Sequence, residues 1–120
     1  MAKRTKEKPR NNGTMTEAAF FGMIRSHLRR LSMRWKPIAE AKKKARIKYI
    51  GDNRRRKWSY RCANCKGLFA DNEIAVDHII PCGSLKSFSD LSSFAERMFV
   101  EVDGLQVLCN GCHNKKSKEE

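Results

Sequence analysis

The first half of the chain carries large apolar side chains at helical spacing. They recur at intervals of three, four, three and four residues: Phe21, Ile24, Leu28, Leu31 and Trp35. That period places them on one face of an amphipathic helix. Thr14 and Glu17 have the spacing of a capping box, so we predict that this helix begins there. Pro37 ends this helix or starts a second, weaker one over the stretch PIAEAKKKARIKY.

The pattern changes after Tyr60. Two short apolar runs, IAVDHII and LQVLC, are separated by polar stretches that contain glycines. This is the pattern of strands bounded by turns. The segment between them, SLKSFSDLSSFAERMFV, has apolar residues near helical spacing and predicts a short helix. A final helix is predicted to open at Cys109 or Asn110 and to run toward Lys118, so the second half is expected to be an α+β unit.

Positive charge is concentrated in the helical half. The formal net charge is +13; residues 1–60 contain 19 Lys/Arg and 4 Asp/Glu, whereas residues 61–120 contain 7 and 9. A fold does not require this asymmetry, but a polyanion favours it, because each neutralised phosphate releases counterions. DNA is the predicted partner, and a merely solubilising surface is the alternative. The predicted DNA contacts are basic residues of both helices and of the segment after them: Arg25, Arg29, Arg30, Arg34, Lys42, Lys43, Lys44, Arg54, Arg55 and Arg56.

Composition divides the chain into three parts. Residues 1–13 are predicted to form a disordered basic arm. Residues 14–57 form a basic helical DNA-binding extension ending in a linker, GDNRRRK, and residues 58–120 form the α+β domain. No apolar run approaches the ~20 residues that cross a bilayer. No signal-peptide core follows the basic N-terminus, so we expect a cytoplasmic protein without a membrane partner.

The cysteines predict a structural zinc site. Cys62 and Cys65 form one C-x-x-C pair, Cys109 and Cys112 form another, and 43 residues separate the pairs. Two such pairs complete a tetrahedral site without an open position, whose binding energy supports a domain too small to bury a large core. A redox C-x-x-C pair is the alternative, but it would be expected in a βαβ pattern. The fifth cysteine, Cys82, is predicted to be a small buried residue.

Three further residues predict a second, catalytic cation site. Asp77 and His78 end a strand-like run, and His113 directly follows a zinc-binding cysteine. The zinc would bring His113 back toward the Asp77 strand. An aspartate and a neutral imidazole leave coordination positions free for water and substrate. His78 could accept a proton near neutral pH, so the three residues together indicate phosphodiester hydrolysis, with ordinary surface or capping roles as the alternative.

These residues resemble the HNH endonuclease family in its small, zinc-containing phage form. The segments YRCANC, VDHIIPCGSL and LQVLCNGCHNKK reproduce its C-x-x-C, DHI-x-P and LC-x-x-CH-x-K blocks in order. The resemblance covers Tyr60 to Lys118. It implies a ββα-metal fold in which Asp77 and His113 hold one divalent cation, such as Mg²⁺ or Mn²⁺, and His78 is the general base. It also implies products with 5′-phosphate and 3′-hydroxyl ends.

One position departs from the family pattern. The family's middle asparagine normally stands nine residues before the last histidine, where this chain has Gly104. Asp103 or a water molecule is expected to substitute for it. The hypothesis is therefore a metal-dependent HNH DNA endonuclease encoded by a phage and acting in the host cytoplasm. The alternatives are a non-catalytic zinc-ribbon DNA-binding protein and an accessory to phage DNA packaging whose partner is a terminase.

Overall fold

The computed structural model describes residues 7–119, with side chains described for residues 7–118. Helix α1 spans Glu17–Ser32. Its N-cap is Thr16, whose hydroxyl accepts a hydrogen bond from the backbone N–H of Ala19 at 3.1 Å. The helix therefore begins after the predicted cap, because the Thr14 hydroxyl instead donates to the Asn11 carbonyl at 2.7 Å and closes a turn.

That turn changes the expectation for the N-terminal arm. Arg10 pairs with Met15 in an isolated antiparallel bridge. Its guanidinium lies 4.8 Å from the ring centroid of Phe20 and 5.1 Å from that of Phe88, and it also binds the Glu17 carboxylate. Cation–π contacts with two rings hold the end of the arm against the fold. The structure thus gives residues 10–13 a defined turn in place of the predicted disorder, and residues 1–6 lie outside the described residues.

Helix α2 spans Lys36–Ala45, with Pro37 in its first turn as predicted. It ends earlier than the sequence suggested, because the next residues form strand β1, Arg46–Lys48. β1 pairs antiparallel with β2, Trp58–Arg61, and β2 pairs with β3, Leu68–Phe69. The prediction that GDNRRRK is a linker is therefore wrong, because this segment lies in the loop of a β-hairpin. The alternating apolar and polar residues on both sides of it pair as the two strands.

A second, two-stranded sheet lies in the other half of the chain. Strand β4, Ile74–His78, pairs antiparallel with β5, Leu105–Cys109, so that Asp77 faces Gln106. Helix α3, Phe88–Met98, lies between these strands in sequence, and helix α4, Asn110–Glu119, follows β5 without a loop. The molecule is thus a mixed α+β protein, in agreement with the coarse prediction. In the described part of the chain, no helix combines the length and apolar character needed to cross a bilayer.

Two apolar clusters hold these elements together. The first joins α1 to α3 and the segment before it, and consists of Phe21, Leu85, Phe94 and Met98. Cys82 packs against this cluster but is only partly buried, where the sequence predicted a buried residue. The second surrounds the cysteine pairs. Most of the predicted stripe on α1 points into the first cluster, but the Leu31 side chain is 56% exposed.

The α1 stripe gives a direct test of this packing. Phe21 is 2% exposed and Leu31 lies on the same helix in solvent. We expect Phe21→Ala to lower the free energy of unfolding by about 3–5 kcal/mol, because it empties a buried aromatic site. Leu31→Ala is the matched control and should change it by less than ~0.5 kcal/mol. Urea unfolding of both variants measures this, and equal effects would contradict the packing of α1 on α3.

Candidate metal centre

The four predicted cysteines lie together. The sulfur atoms of Cys62, Cys65, Cys109 and Cys112 are all within 4.8 Å of one another. Cys65 Sγ and Cys109 Sγ, from different pairs, are 4.0 Å apart. Four sulfurs bound to one zinc ion at ~2.3 Å would be about 3.8 Å apart, so the cluster has the size of a tetrahedral zinc site. It can hold a metal ion such as zinc.

The protonation of these thiols also suits a dication. Burial opposes ionisation of the Cys62 thiol, but hydrogen bonds from neighbouring backbone N–H groups outweigh it and lower the pKa of Cys62 to about 6. The backbone N–H of Cys112 favours the Cys109 thiolate, but burial and the adjacent thiols outweigh it and raise the pKa of Cys109 to about 11. Without a cation the Cys109 thiol keeps its proton near pH 7. A bound dication would displace that proton and compensate the negative charge of the thiolates.

Asp77 is the most constrained residue of the second predicted site. Its residue exposure is 9%, and its Oδ2 accepts hydrogen bonds from Gln106 Nε2 at 3.0 Å and from Lys116 Nζ at 2.5 Å. Lys116 Nζ also donates to the carbonyl oxygens of His78 at 2.7 Å and Ile79 at 3.2 Å. Two donors therefore fix Oδ2, and the other carboxylate oxygen, Oδ1, faces His113.

His113 meets Asp77 from the first turns of α4. Its Nδ1 lies 3.6 Å from Asp77 Oδ1, beyond hydrogen-bond distance. Within residues 7–118, this buried Nδ1 has no hydrogen-bond partner. Buried polar atoms without a partner are rare and costly, so this one needs an explanation such as an ion. Two ligand atoms each ~2.1 Å from one ion are about 3.0 Å apart at the 90° of an octahedral site and about 3.4–3.6 Å apart at 110–120°, so the 3.6 Å of this pair fits the wider angles.

His78 is held elsewhere. Its Nε2 lies 2.9 Å from the carbonyl oxygen of Met98, at the end of α3. Because a carbonyl can only accept, Nε2 carries the proton, and Nδ1 is left as the basic nitrogen. The His78 ring makes no hydrogen bond or ion pair with Asp77 or His113 in the described structure. The structure thus brings Asp77 and His113 together and anchors His78 separately, at the end of the same strand.

Gly104 stands where the HNH pattern has an asparagine, and its backbone joins two strand ends. The Gly104 carbonyl accepts a hydrogen bond from the N–H of Ile79 at 3.0 Å, which joins the two strand ends. A Cβ at Gly104 would lie 2.9 Å from Val100 Cβ, so a larger residue has no room in this backbone. The Asp103 side chain has no hydrogen bond or ion pair among the residues described, so its predicted substitution for the asparagine is not seen.

The predicted DNA-contacting residues differ in their surroundings. Most of them are exposed: Arg25, Arg29, Arg30, Arg34, Lys43, Lys44, Arg54 and Arg55. Lys42 instead pairs with Asp71 and lies 5.6 Å from the Tyr60 ring centroid, and Arg56 bonds within the hairpin. The Trp58 ring lies under the Arg46 guanidinium, 4.0 Å from ring centroid to Cζ, and the residue is 39% exposed. His27 lies on α1, and its Nδ1 is 2.8 Å from the carbonyl oxygen of Met23.

Sequence reasoning missed the two residues that hold the Asp77 carboxylate. Gln106 is the direct cross-strand partner of Asp77, and Lys116 follows His113 by three residues on one face of α4. The strand pairing places Gln106 opposite Asp77, and helical spacing places Lys116 on the face of α4 that carries His113.

Comparison with known proteins does not assign this chain to a family. No protein-family model matches it, and no curated protein and no solved structure is significantly similar to it. The geometry of the two candidate metal sites is therefore the basis for a functional conclusion.

Proposed function

We propose that this protein is a metal-dependent DNA endonuclease of the HNH type, with β4, β5 and α4 as its ββα-metal core. An antiparallel strand pair runs directly into a helix, and the pair and the helix each contribute one residue to the candidate cation site. The segments that resemble the family lie on these elements and around the cysteine cluster. DNA as the substrate is supported by the net charge of +13 and by the exposed cations of α1 and α2.

The buried, unpartnered Nδ1 of His113 carries the proposal. It lies 3.6 Å from a carboxylate oxygen whose companion oxygen is already fixed by Gln106 and Lys116. Asp77 and His113 would hold one divalent cation, each through a single atom. Such a cation, when bound, would stabilise negative charge on the scissile phosphate and the leaving oxygen. Because the chain provides two ligands, other coordination positions remain for water and substrate.

His78 would supply the proton acceptor. The Met98 carbonyl fixes the ring orientation and the tautomer, leaving Nδ1 to take a proton from the attacking water. The zinc-binding cysteines would position the other side of the site. Cys109 ends β5 and Cys112 directly precedes His113, so the cluster fixes the start of α4 relative to the strands.

One observation favours a second candidate, a non-catalytic zinc-stabilised DNA-binding protein. The Lys116 ammonium already neutralises Asp77 at 2.5 Å, so the carboxylate has a cationic partner without a metal. In that case His113 would have a structural role and the basic surface would be the functional one. The two candidates differ in whether the protein cuts DNA when a divalent cation is added.

Plasmid nicking tests the proposal. The wild type is incubated with supercoiled plasmid, with and without Mg²⁺ or Mn²⁺. The expected result is nicking that depends on the added cation. His113→Ala should reduce the nicking rate by more than ~10–100-fold, which is the loss typical of removing a residue that only supports a metal ligand. His27→Ala is the matched control, since that exposed histidine lies on α1, and it should nick at the wild-type rate. If His113→Ala nicks as fast as the wild type, or if the wild type does not nick, the proposal is wrong.

A further inference from the structure

The hairpin of β1 and β2 ends in a loop whose shape is fixed by its own side chains. We call residues 49–57, YIGDNRRRK, the basic tip. The N–H of Tyr49 donates to the Lys57 carbonyl at 2.9 Å and extends the ladder by one pair. Beyond it, Asn53 builds a turn: its Oδ1 accepts from the N–H of Arg55 and its carbonyl from the N–H of Arg56, both at 3.1 Å.

Tyr49 and Arg56 brace the basic tip from the inside. The Arg56 guanidinium lies 4.3 Å from the Tyr49 ring centroid and donates to Ser59 Oγ at 2.9 Å and to the Trp58 carbonyl at 3.1 Å. The Tyr49 hydroxyl approaches Gly51 so closely that a Cβ there would lie 2.2 Å from it. The Arg56 side chain therefore stabilises the conformation of the loop. Because that conformation is fixed before a partner binds, binding costs less conformational entropy.

The same bracing leaves three side chains directed away from the fold. Arg54 and Arg55 are exposed, and their side chains have no hydrogen bond or ion pair within the described residues. Ile50 is 94% exposed, more than any other large apolar residue described. The basic tip holds four Lys/Arg and one acidic residue, Asp52. The basic tip thus presents two guanidinium groups that can attract phosphates and one exposed aliphatic side chain that can make an apolar contact.

We propose that the basic tip enters the minor groove of duplex DNA, with Arg54 and Arg55 in the groove and Ile50 wedged against a base step. This inference rests on the proposed function for its partner, DNA, and adds how the DNA is held. Narrow A·T-rich minor grooves have an enhanced negative potential that attracts arginine. Proteins that bind there commonly insert an aliphatic wedge that unstacks a base step and bends the duplex.

The ladder below the tip supports this placement. Register puts four residues of the two strands on one face of the ribbon: Arg46, Lys48, Trp58 and Tyr60. Lys48 is exposed, and Arg46 lies over the Trp58 ring at 4.0 Å. Cations at the base of the ribbon can reach the phosphates that border the groove while the tip lies within it. The hairpin would therefore act as a clamp that continues into the zinc-binding Cys62 after β2.

Duplexes that differ only in the minor groove test this proposal. Replacing G·C by inosine·C keeps the major-groove edge of G·C but removes the guanine amino group from the minor groove. The 120-residue chain carrying His78→Ala, which should cut ~10²–10⁴-fold more slowly if the proposed function holds, is titrated into A·T, G·C and inosine·C duplexes. We expect the A·T and inosine·C duplexes to bind about 10-fold more tightly than the G·C duplex.

Arg54→Ala/Arg55→Ala and Arg29→Ala/Arg30→Ala are the matched double variants. The tip variant should lose the A·T and inosine·C preference, whereas the α1 variant should weaken binding to all three duplexes and keep the preference. Ile50→Ser should reduce the bending of end-labelled duplexes measured by energy transfer while it leaves the zinc content unchanged. The inference is wrong if the protein binds the inosine·C duplex no more tightly than the G·C duplex. It is also wrong if the tip variant keeps the wild-type preference. Neither outcome contradicts the proposed function, which the cleavage assay tests separately. If wild-type protein neither binds nor cuts DNA, both fall.

Discussion

Loss of the metal ion from the four-cysteine cluster is expected to unfold the second half of the chain. Structural zinc contributes ~10–16 kcal/mol of apparent binding free energy near neutral pH, whereas an entire domain is stable by only ~5–15 kcal/mol. The buried residues around the cluster include two of the cysteines themselves, so a bound ion would hold together the apolar contacts there. Chelation, or Cys109→Ser, should therefore abolish the near-ultraviolet circular dichroism signal, and added zinc should restore it only in the wild type.

Cys82→Ser is the matched control for that experiment. Cys82 lies outside the cluster and packs against the α1–α3 core. The variant should bind one equivalent of zinc, like the wild type, by inductively coupled plasma analysis and should refold after chelation and zinc addition. If Cys109→Ser keeps a full equivalent of zinc and its melting temperature, the cluster is not a structural metal site.

Removing the His78 imidazole is expected to stop cleavage without stopping binding. A positioned general base contributes typically ~10²–10⁴-fold to a rate, so His78→Ala should slow single-turnover cleavage by a factor in that range. Mn²⁺ binding should persist, because Asp77 and His113 remain. This separates the two histidines, since His113→Ala should lose both activity and Mn²⁺ binding.

Chemical rescue gives a direct test of that role. Added imidazole should restore part of the cleavage rate of His78→Ala, because it can accept the proton that the missing side chain would take. Unchanged cleavage by His78→Ala, measured with wild-type metal content, would remove His78 from the mechanism.

The strands and the cysteine cluster were predictable from sequence because their signals are local or directly chemical. IAVDHII and LQVLC became β4 and β5, and two C-x-x-C pairs converged to within 4.8 Å. The approach of His113 to Asp77 followed from the same reasoning, since Cys112 is adjacent in sequence. Each of these predictions depended on a residue type whose chemistry leaves few alternatives.

The hairpin was missed for the opposite reason. Its strands contain three and four residues, too few for a period of two to stand out, and the run of arginines between them resembles a linker. Leu31 matched the helical period but faces solvent, because the period does not tell where the neighbouring element ends. The contact of Lys116 with Asp77 was not predicted, since it depends on how α4 packs against β4.

The pairing of β1 with β2 crosses the boundary that composition placed at residue 57. Two further contacts join residues on either side of this boundary. Trp35 Nε1 donates a hydrogen bond to the Val100 carbonyl at 2.7 Å. Phe21 packs into the cluster that contains Phe94. A shortened chain beginning at Trp58 would lose the neighbour of its first strand and uncover an aromatic patch. The basic half is therefore an integral part of the fold, and the backbone that carries its cations is held by packing against the other half, unlike that of a tethered module.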